Sequence, residues 1–291
     1  MLASTERLGH RSRVAPRKNV LRVAVWVGLG LAFGLWFLAT QGLEPAAEYY
    51  AAYFLEQSLS VDNIFVFVII FAELHIPPEY QRRVLQFGIA GALLFRGLLI
   101  VAGITLIERF NWVTYPFAAL ILFAAWRLLF GVERERKVVE GACNVCETWI
   151  ARLVRVSPVL HGHDFWHRDK GRLVATPLFV ALVVIETTDL VFALDSVPAV
   201  LSVTRNPFIV YSSNVMAMLG LRSLYFVLSD VVDRVRYLRH GLAVVLAFTA
   251  AKMLTHEVLH ISAGVSVLVI GIILAMTLAA SAASTSHGRT S

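Results

Sequence analysis

Five carboxylates lie inside stretches of this chain that are apolar enough to cross a lipid bilayer. Glu56 and Asp62 sit in AAYFLEQSLSVDNIFVFVIIFA, and Glu186, Asp189 and Asp195 in PLFVALVVIETTDLVFALDSVPAV. A charge at the bilayer centre costs about 2.5–3.5 kcal/mol on the insertion scale, so five cost on the order of 12–17 kcal/mol before any pairing. Lipid-facing positions cannot carry that. The acids must face the interior of a helix bundle, and they must have partners there.

The rest of the chain agrees with a membrane setting. Of its 291 residues, 58% are hydrophobic and 16% charged, whereas soluble domains carry about 25% charged residues. Several apolar runs reach the 18 residues that span a bilayer. The reading is an all-α, polytopic transmembrane helix bundle of about eight spans, near 20–40, 48–73, 85–107, 113–130, 176–203, 208–229, 241–255 and 261–283. The first apolar run, LRVAVWVGLGLAFGLWFLA (21–39), is longer than the apolar core of a secretion signal and has no small-x-small cleavage site after it, so it reads as a retained helix.

Basic residues orient the spans. Twenty of the 26 fall on the predicted cytoplasmic side, two (Arg109 and Arg205) on the outer side, and Arg96, Arg127, Arg222 and Lys252 within helices. Both termini are then cytoplasmic, in the inner (plasma) membrane. The net charge of +6 has its source in cytoplasmic segments rather than in nucleic-acid binding. The division that follows is a basic N-terminus (1–19), an extra N-terminal helix (20–40), a three-helix unit (45–130), a cytoplasmic loop (131–175), a second three-helix unit (176–255), a last helix (256–283) and a tail (284–291).

The two units resemble each other. Glu56-x5-Asp62-Asn63 has the spacing of Asp189-x5-Asp195-Ser196; FRGLL (95–99) matches LRSLY (221–225), and FAAWRLL (123–129) matches FTAAKML (248–254). Their first helices cross in opposite directions, which makes an inverted repeat. Many secondary transporters are built this way and bind substrate near the midplane, where the halves meet.

Two kinds of partner could satisfy the acids. Arg96 and Arg222, mid-helix at matching positions, could pair with them and merely fix the packing. Arg127 and Lys252 lie toward helix ends, where such side chains can snorkel to water. Five carboxylates then face two arginines, and the surplus suits a cation. Asn63, Asn214, Ser58, Ser60, Ser196, Thr187 and Thr188 stand nearby as further oxygen donors, with no cysteine or histidine in these helices. Oxygen-only surroundings favour Mg, Ca or Mn over Zn or Cu. Glu56 and Asp62 are about 240° apart around an ideal helix; either the helix unwinds there or the two acids serve different neighbours. Pro198 is expected to weaken the fifth span and free carbonyl oxygens as ligands.

LEQSLSVDNIFVF, TPLFVALVVIETTDLVFALDSVPAV, SSNVMAMLGLRSLYFVL and the AAKML ending together resemble the TerC family of integral membrane proteins, named for tellurium resistance, over roughly residues 45–280. The resemblance implies a manganese exporter organised like the LysE transporter superfamily, not an enzyme. It places Glu56, Asp62, Asn63, Glu186, Asp189, Asp195 and Ser196 on the metal path; Asn214, Arg96 and Arg222 are read beside them as supporting residues. Mn2+ is then the transported ion and no prosthetic group is expected. Proton counter-transport is the natural energy source, because carboxylates can trade a metal for protons. The rival reading is a non-transporting scaffold of a metal- or tellurite-resistance complex. Partners are the metal ion and the lipid bilayer, with homo-oligomers or a membrane complex left open.

Three other signals are weaker. HEVLH (256–260) matches a zinc-protease pattern but falls in a short connection with no third ligand. Cys143-x2-Cys146 followed by His161, His163 and His167 resembles a zinc finger without that module's apolar framework, and reads as a solvated loop. VERERKVVE (132–140) reads as a solvated helical extension.

Overall fold

The computed structural model describes residues 16–130, residues 141–228 apart from positions 142, 144, 147, 151, 153, 158, 161, 170 and 171, and residues 238–255 and 261–287. Among them are eight long helices: α1 (Pro16–Gln41), α2 (Leu43–Glu73), α3 (Pro78–Arg109), α4 (Thr114–Phe130), α5 (Pro177–Leu201), α6 (Pro207–Leu228), α7 (Leu238–Leu254) and α8 (Ala263–His287). The stretches α1, α3, α5 and α8 are long and apolar enough to cross a membrane, and α4 and α7 are apolar but shorter. The chain is an all-α, polytopic membrane protein.

Seven of the helices start within about five residues of where hydrophobicity placed them. The exception is α3, which begins seven residues earlier than expected, at Pro78. Proline at the first helical position loses no hydrogen bond, and Glu79 in the first turn suits the positive end of the helix dipole. The polar turn EYQRR thus belongs to the helix although it is not apolar. Helix α5 likewise opens on Pro177. At the start of α6 the Asn206 side-chain oxygen accepts the backbone N–H groups of Phe208 (3.0 Å) and Ile209 (3.4 Å). Gly42 alone separates α1 from α2, with φ 95°, a conformation in which a Cβ would be strained.

Packing follows a crossed pattern. Helix α2 lies against α6, and α3 against α5, so the first helix of each three-helix unit packs on the second helix of the other. The third helices, α4 and α7, pack on each other. Helix α1 covers α2 and α6 through an aromatic cluster containing Phe37, Tyr49 and Tyr53.

Two apolar layers fill the interior. One contains Leu55, Ile100, Ala193, Leu128 and Leu246; the other contains Ile64, Ala92, Ile185 and Leu221. Along α2 the change of layer falls between Leu55 and Ile64, along α3 between Ala92 and Ile100, and along α5 between Ile185 and Ala193. Glu56, Asn63, Arg96 and Asp189 occupy those three intervals, so the polar residues are held at one level with apolar packing on both sides.

Of the two alternatives for α2, the unwound helix is ruled out, since α2 runs continuously from Leu43 to Glu73. Two expectations need correction. Helix α5 continues through Pro198 to Leu201, because the proline removes one hydrogen bond so near the C-terminus that the last turn still closes, Ser202 N–H donating to the Pro198 carbonyl at 3.0 Å. The central segment is not simply a solvated loop. It carries an antiparallel hairpin of β1 (Trp166–Asp169) and β2 (Arg172–Ala175), and Cys143 and Ile150 are buried in the same apolar layer as Ile185. Residues 132–140 and 256–260 lie outside the described residues.

Candidate functional site

Arg96 is the largest fully buried side chain among the described residues, 1% exposed in the middle of α3. A guanidinium cannot shed its charge, so burial demands anionic partners. It has two. Nη1 donates to Glu56 Oε2 at 2.8 Å, while Nε and Nη2 donate to Asp189 Oδ2 and Oδ1 at 3.1 and 3.3 Å. Two helices that each carry an acid are thereby tied to a third. The Asn63 amide completes the cluster. In one orientation its Nδ2 donates to Asp189 Oδ1 at 3.3 Å; turned over, its oxygen accepts from Arg96 Nη2 at 3.3 Å and its nitrogen donates to the Leu59 carbonyl. Either way it bridges α2 to the ion pair.

A second, looser pair adjoins the first. Arg127 Nη2 lies 3.4 Å from Asp195 Oδ2, with the guanidinium 5.7 Å above the Phe192 ring centre. Arg127 Nε is buried without a hydrogen-bond partner among the described residues. Between the two pairs is a small cavity of about 20 Å³, lined by Asn63, Arg96, Arg127, Asp195 and Ser196 with apolar neighbours. That is room for roughly one water or bare ion. Ser196 is 2% exposed and its hydroxyl has no partner among the described residues. A buried hydroxyl and carboxylate beside a cavity of this size are groups that a small cation could ligate.

Other residues singled out from the sequence are placed less centrally. The carboxylate of Glu186, one turn before Asp189, lies against Gly91 of α3, where a Cβ would collide with it, and its Oε2 is buried and unpaired among the described residues. Asn214 is fully buried with neither amide atom bonded there. The backbone of Asp62 is helical, but its side chain lies outside the described set. Arg222 forms no ion pair among the described residues, and Arg82 and Arg22 are near enough to repel it. Among the described residues, no three His, Cys, Asp or Glu groups stand together as a metal would require; Arg96 is inserted between Glu56 and Asp189. Cys143 and Cys146 form no disulfide among the described residues, and the His163 ring lies tilted against Tyr80 with ring centres 4.8 Å apart.

Arg127 and Lys252 depart from the snorkelling expectation. Both have polar partners inside the bundle. Arg127 meets Asp195, and Lys252, 5% exposed, donates from Nζ to Ser266 Oγ at 2.9 Å. Their matching places in AAWRLL and AAKML were the sequence signal for a shared inward role. Lys252 also lines a cavity of about 660 Å³ at the Arg205 end of the bundle, with Glu44, Glu48, Thr204 and Ser262. Glu48 Oε2 accepts from Thr204 Oγ1 at 2.6 Å.

Comparison with known proteins accords with this architecture. The family described as "Integral membrane protein TerC family" matches residues 41–289. An uncharacterized membrane protein of Myxococcus xanthus, STKORF319, is 41% identical over 92% of this chain and 83% of its own length. A Salmonella typhi protein provisionally named membrane-bound redox modulator Alx is 40% identical over 87% of this chain and 80% of its own. The thylakoid membrane protein TERC of Arabidopsis thaliana is 42% identical over 80% of this chain and 60% of its own. No solved structure matches. A multi-pass helix bundle, matched by the family from the end of α1 through α8, with relatives near 40% identity across most of its length, belongs to the TerC family of integral membrane proteins.

Proposed function

We propose that this protein exports a divalent cation, Mn2+ foremost, through the cluster at the level where the two apolar layers meet. The observation that carries the reading is a cavity the size of one ion lined by Asn63, Asp195 and Ser196, with Glu56 and Asp189 joined to its wall through Arg96. Only oxygen donors are offered, which suits a hard cation. The orphaned Ser196 hydroxyl and Asn214 amide support it, since buried polar groups in folded proteins nearly always have a partner.

The crossed packing of α2 on α6 and α3 on α5 supports an inverted repeat, and with it alternating access in which one unit rocks against the other. The two apolar layers would serve as the gates, one opening to each side in turn. Positive residues on the short connections support cytoplasmic termini in the plasma membrane. The function read here is carriage, without catalysis and without a prosthetic group.

One observation favours the alternative of a non-transporting scaffold. Arg96 satisfies Glu56 and Asp189 internally, as a purely structural ion pair would. Flux separates the two readings. Purified protein in sealed vesicles loaded with Mn2+ should release it faster than protein-free vesicles, and a scaffold would add nothing to the leak.

A further inference from the structure

The described acids at the centre are already held by the protein's own cations. Arg96 commits all three of its nitrogens, one to Glu56 and two to Asp189, and Arg127 leans on Asp195 at 3.4 Å. A divalent cation cannot ligate Glu56 and Asp189 while the guanidinium stands between them. It must displace Arg96, and when it leaves, Arg96 is tethered within reach to take the carboxylates back.

We infer that Arg96 is a built-in counter-ion: it replaces the transported cation on Glu56 and Asp189 so that the carrier can return without cargo. This rests on the transport reading above. During reorientation both gates close and seal the acids between the two apolar layers, where bare carboxylates would be costly. A tethered guanidinium neutralises them without any ion or proton from solution, and its charge is permanent. An arriving ion has a place beside the guanidinium, since the 20 Å³ cavity is bordered by both Arg96 and Arg127. Arg96 also sits on α3, which packs on α5 and α6, so its movement would be felt in the opposite repeat. Arg222, at the matching place in α6, has no carboxylate partner among the described residues, so the device is one-sided.

The test compares two modes of transport in vesicles, with radioactive Mn2+ as the probe. Net efflux into manganese-free medium requires the return without cargo; tracer exchange, with Mn2+ on both sides, does not. Arg96→Gln should lower the ratio of net efflux to exchange at least tenfold relative to wild type. Arg96→Lys, which keeps a charge on a flexible stem, should hold that ratio within about threefold. Both modes falling together in Arg96→Gln, or neither falling, would overturn the inference, because a packing residue would affect them alike. Should the Gln variant fail to fold, the Lys variant decides: a retained ratio supports the counter-ion, and a lost one overturns it. Wild type that only exchanges would sink this inference and leave transport standing, whereas wild type inert in both modes would sink transport itself.

Discussion

Arg127 Nη2 stands 3.4 Å from Asp195 Oδ2, whereas Arg96 Nη1 meets Glu56 Oε2 at 2.8 Å. Charge-assisted hydrogen bonds between nitrogen and a carboxylate fall near 2.7–2.9 Å, so the first pair is slack and the second is closed. Asp195 is also the more accessible acid, its side chain 15% exposed against 1% for Glu56. Asp195 and Ser196 thus offer a cation the readier oxygens, whereas Asp189 is reached only by moving Arg96.

Asp195→Asn should therefore reduce Mn2+ flux by at least tenfold while leaving the protein inserted and folded, since the amide keeps the volume and loses the charge. Asp62→Asn should do the same if the conserved spacing within the repeat reflects a shared role. Vesicle flux together with elution as a single folded species in detergent checks both, and an Asp195→Asn carrier of undiminished rate would remove that acid from the path.

Arg96→Met should lower stability by about 3–5 kcal/mol, the usual consequence of breaking a buried ion pair from one side. Adding Asp189→Asn or Glu56→Gln should recover part of the loss, because each relieves an acid left uncompensated. Thermal unfolding of the single and double variants measures this. Additive losses would mean that the pair is not coupled.

Manganese itself should stabilise the wild type. A ligand that binds only the folded state adds RT ln(1 + [L]/Kd), about 2.7 kcal/mol at one hundred times Kd. The upward shift in Tm should grow with Mn2+ concentration and disappear in Asp195→Asn. A Tm indifferent to Mn2+ up to millimolar levels would count against the site.

Gly91 and Gly28 should respond oppositely to alanine. A Cβ at Gly91 would run into the Glu186 carboxylate, while one at Gly28 meets nothing within 4 Å. Gly91→Ala should cost about 1–3 kcal/mol as an overpacked contact, and Gly28→Ala should be neutral or gain up to about 1 kcal/mol from helix propensity. Paired thermal melts decide it.

Tags report the orientation. An epitope at Gly162 should be reached only from the cytoplasmic face and one at Asn206 only from outside, following the arginine and lysine distribution. Both on one side would refute the crossing of opposite senses on which alternating access depends.

The eight helices were readable because apolar runs mark their extent, at lipid length in α1, α3, α5 and α8. Only α3 was misjudged at its start, since EYQRR has no apolar signal and the proline marking it works through backbone geometry. That Glu56, Asp189 and Asp195 face inward was also legible, from the energy of burying charge. Which arginine would hold which acid was not. Arg96 and Arg222 look alike in sequence, yet Arg96 reaches Glu56 of α2 and Asp189 of α5 while Arg222 has no carboxylate partner among the described residues. The partners of Arg127 and Lys252 were hidden for the same kind of reason: position along a helix says how far a side chain is from the end, not whether a hydroxyl or carboxylate waits on the neighbouring helix.

The 660 Å³ cavity beside Lys252 and Glu48 bears on how such a carrier feels the membrane voltage. A polar recess of that size admits water and brings the external solution down to the apolar layer of Ile107, Leu201 and Met253. The electrical potential then drops over that layer and the bundle below it instead of over the full bilayer thickness, which steepens the local field. A doubly charged ion exchanges about 4.6 kcal/mol with a 100 mV potential over the whole drop, and much of that would be spent in the few ångströms around Asp195 and Arg96. The cell's resting voltage, inside negative, would pull a departing cation back, so an exporter shaped this way works against an electrical gradient concentrated at its own binding residues.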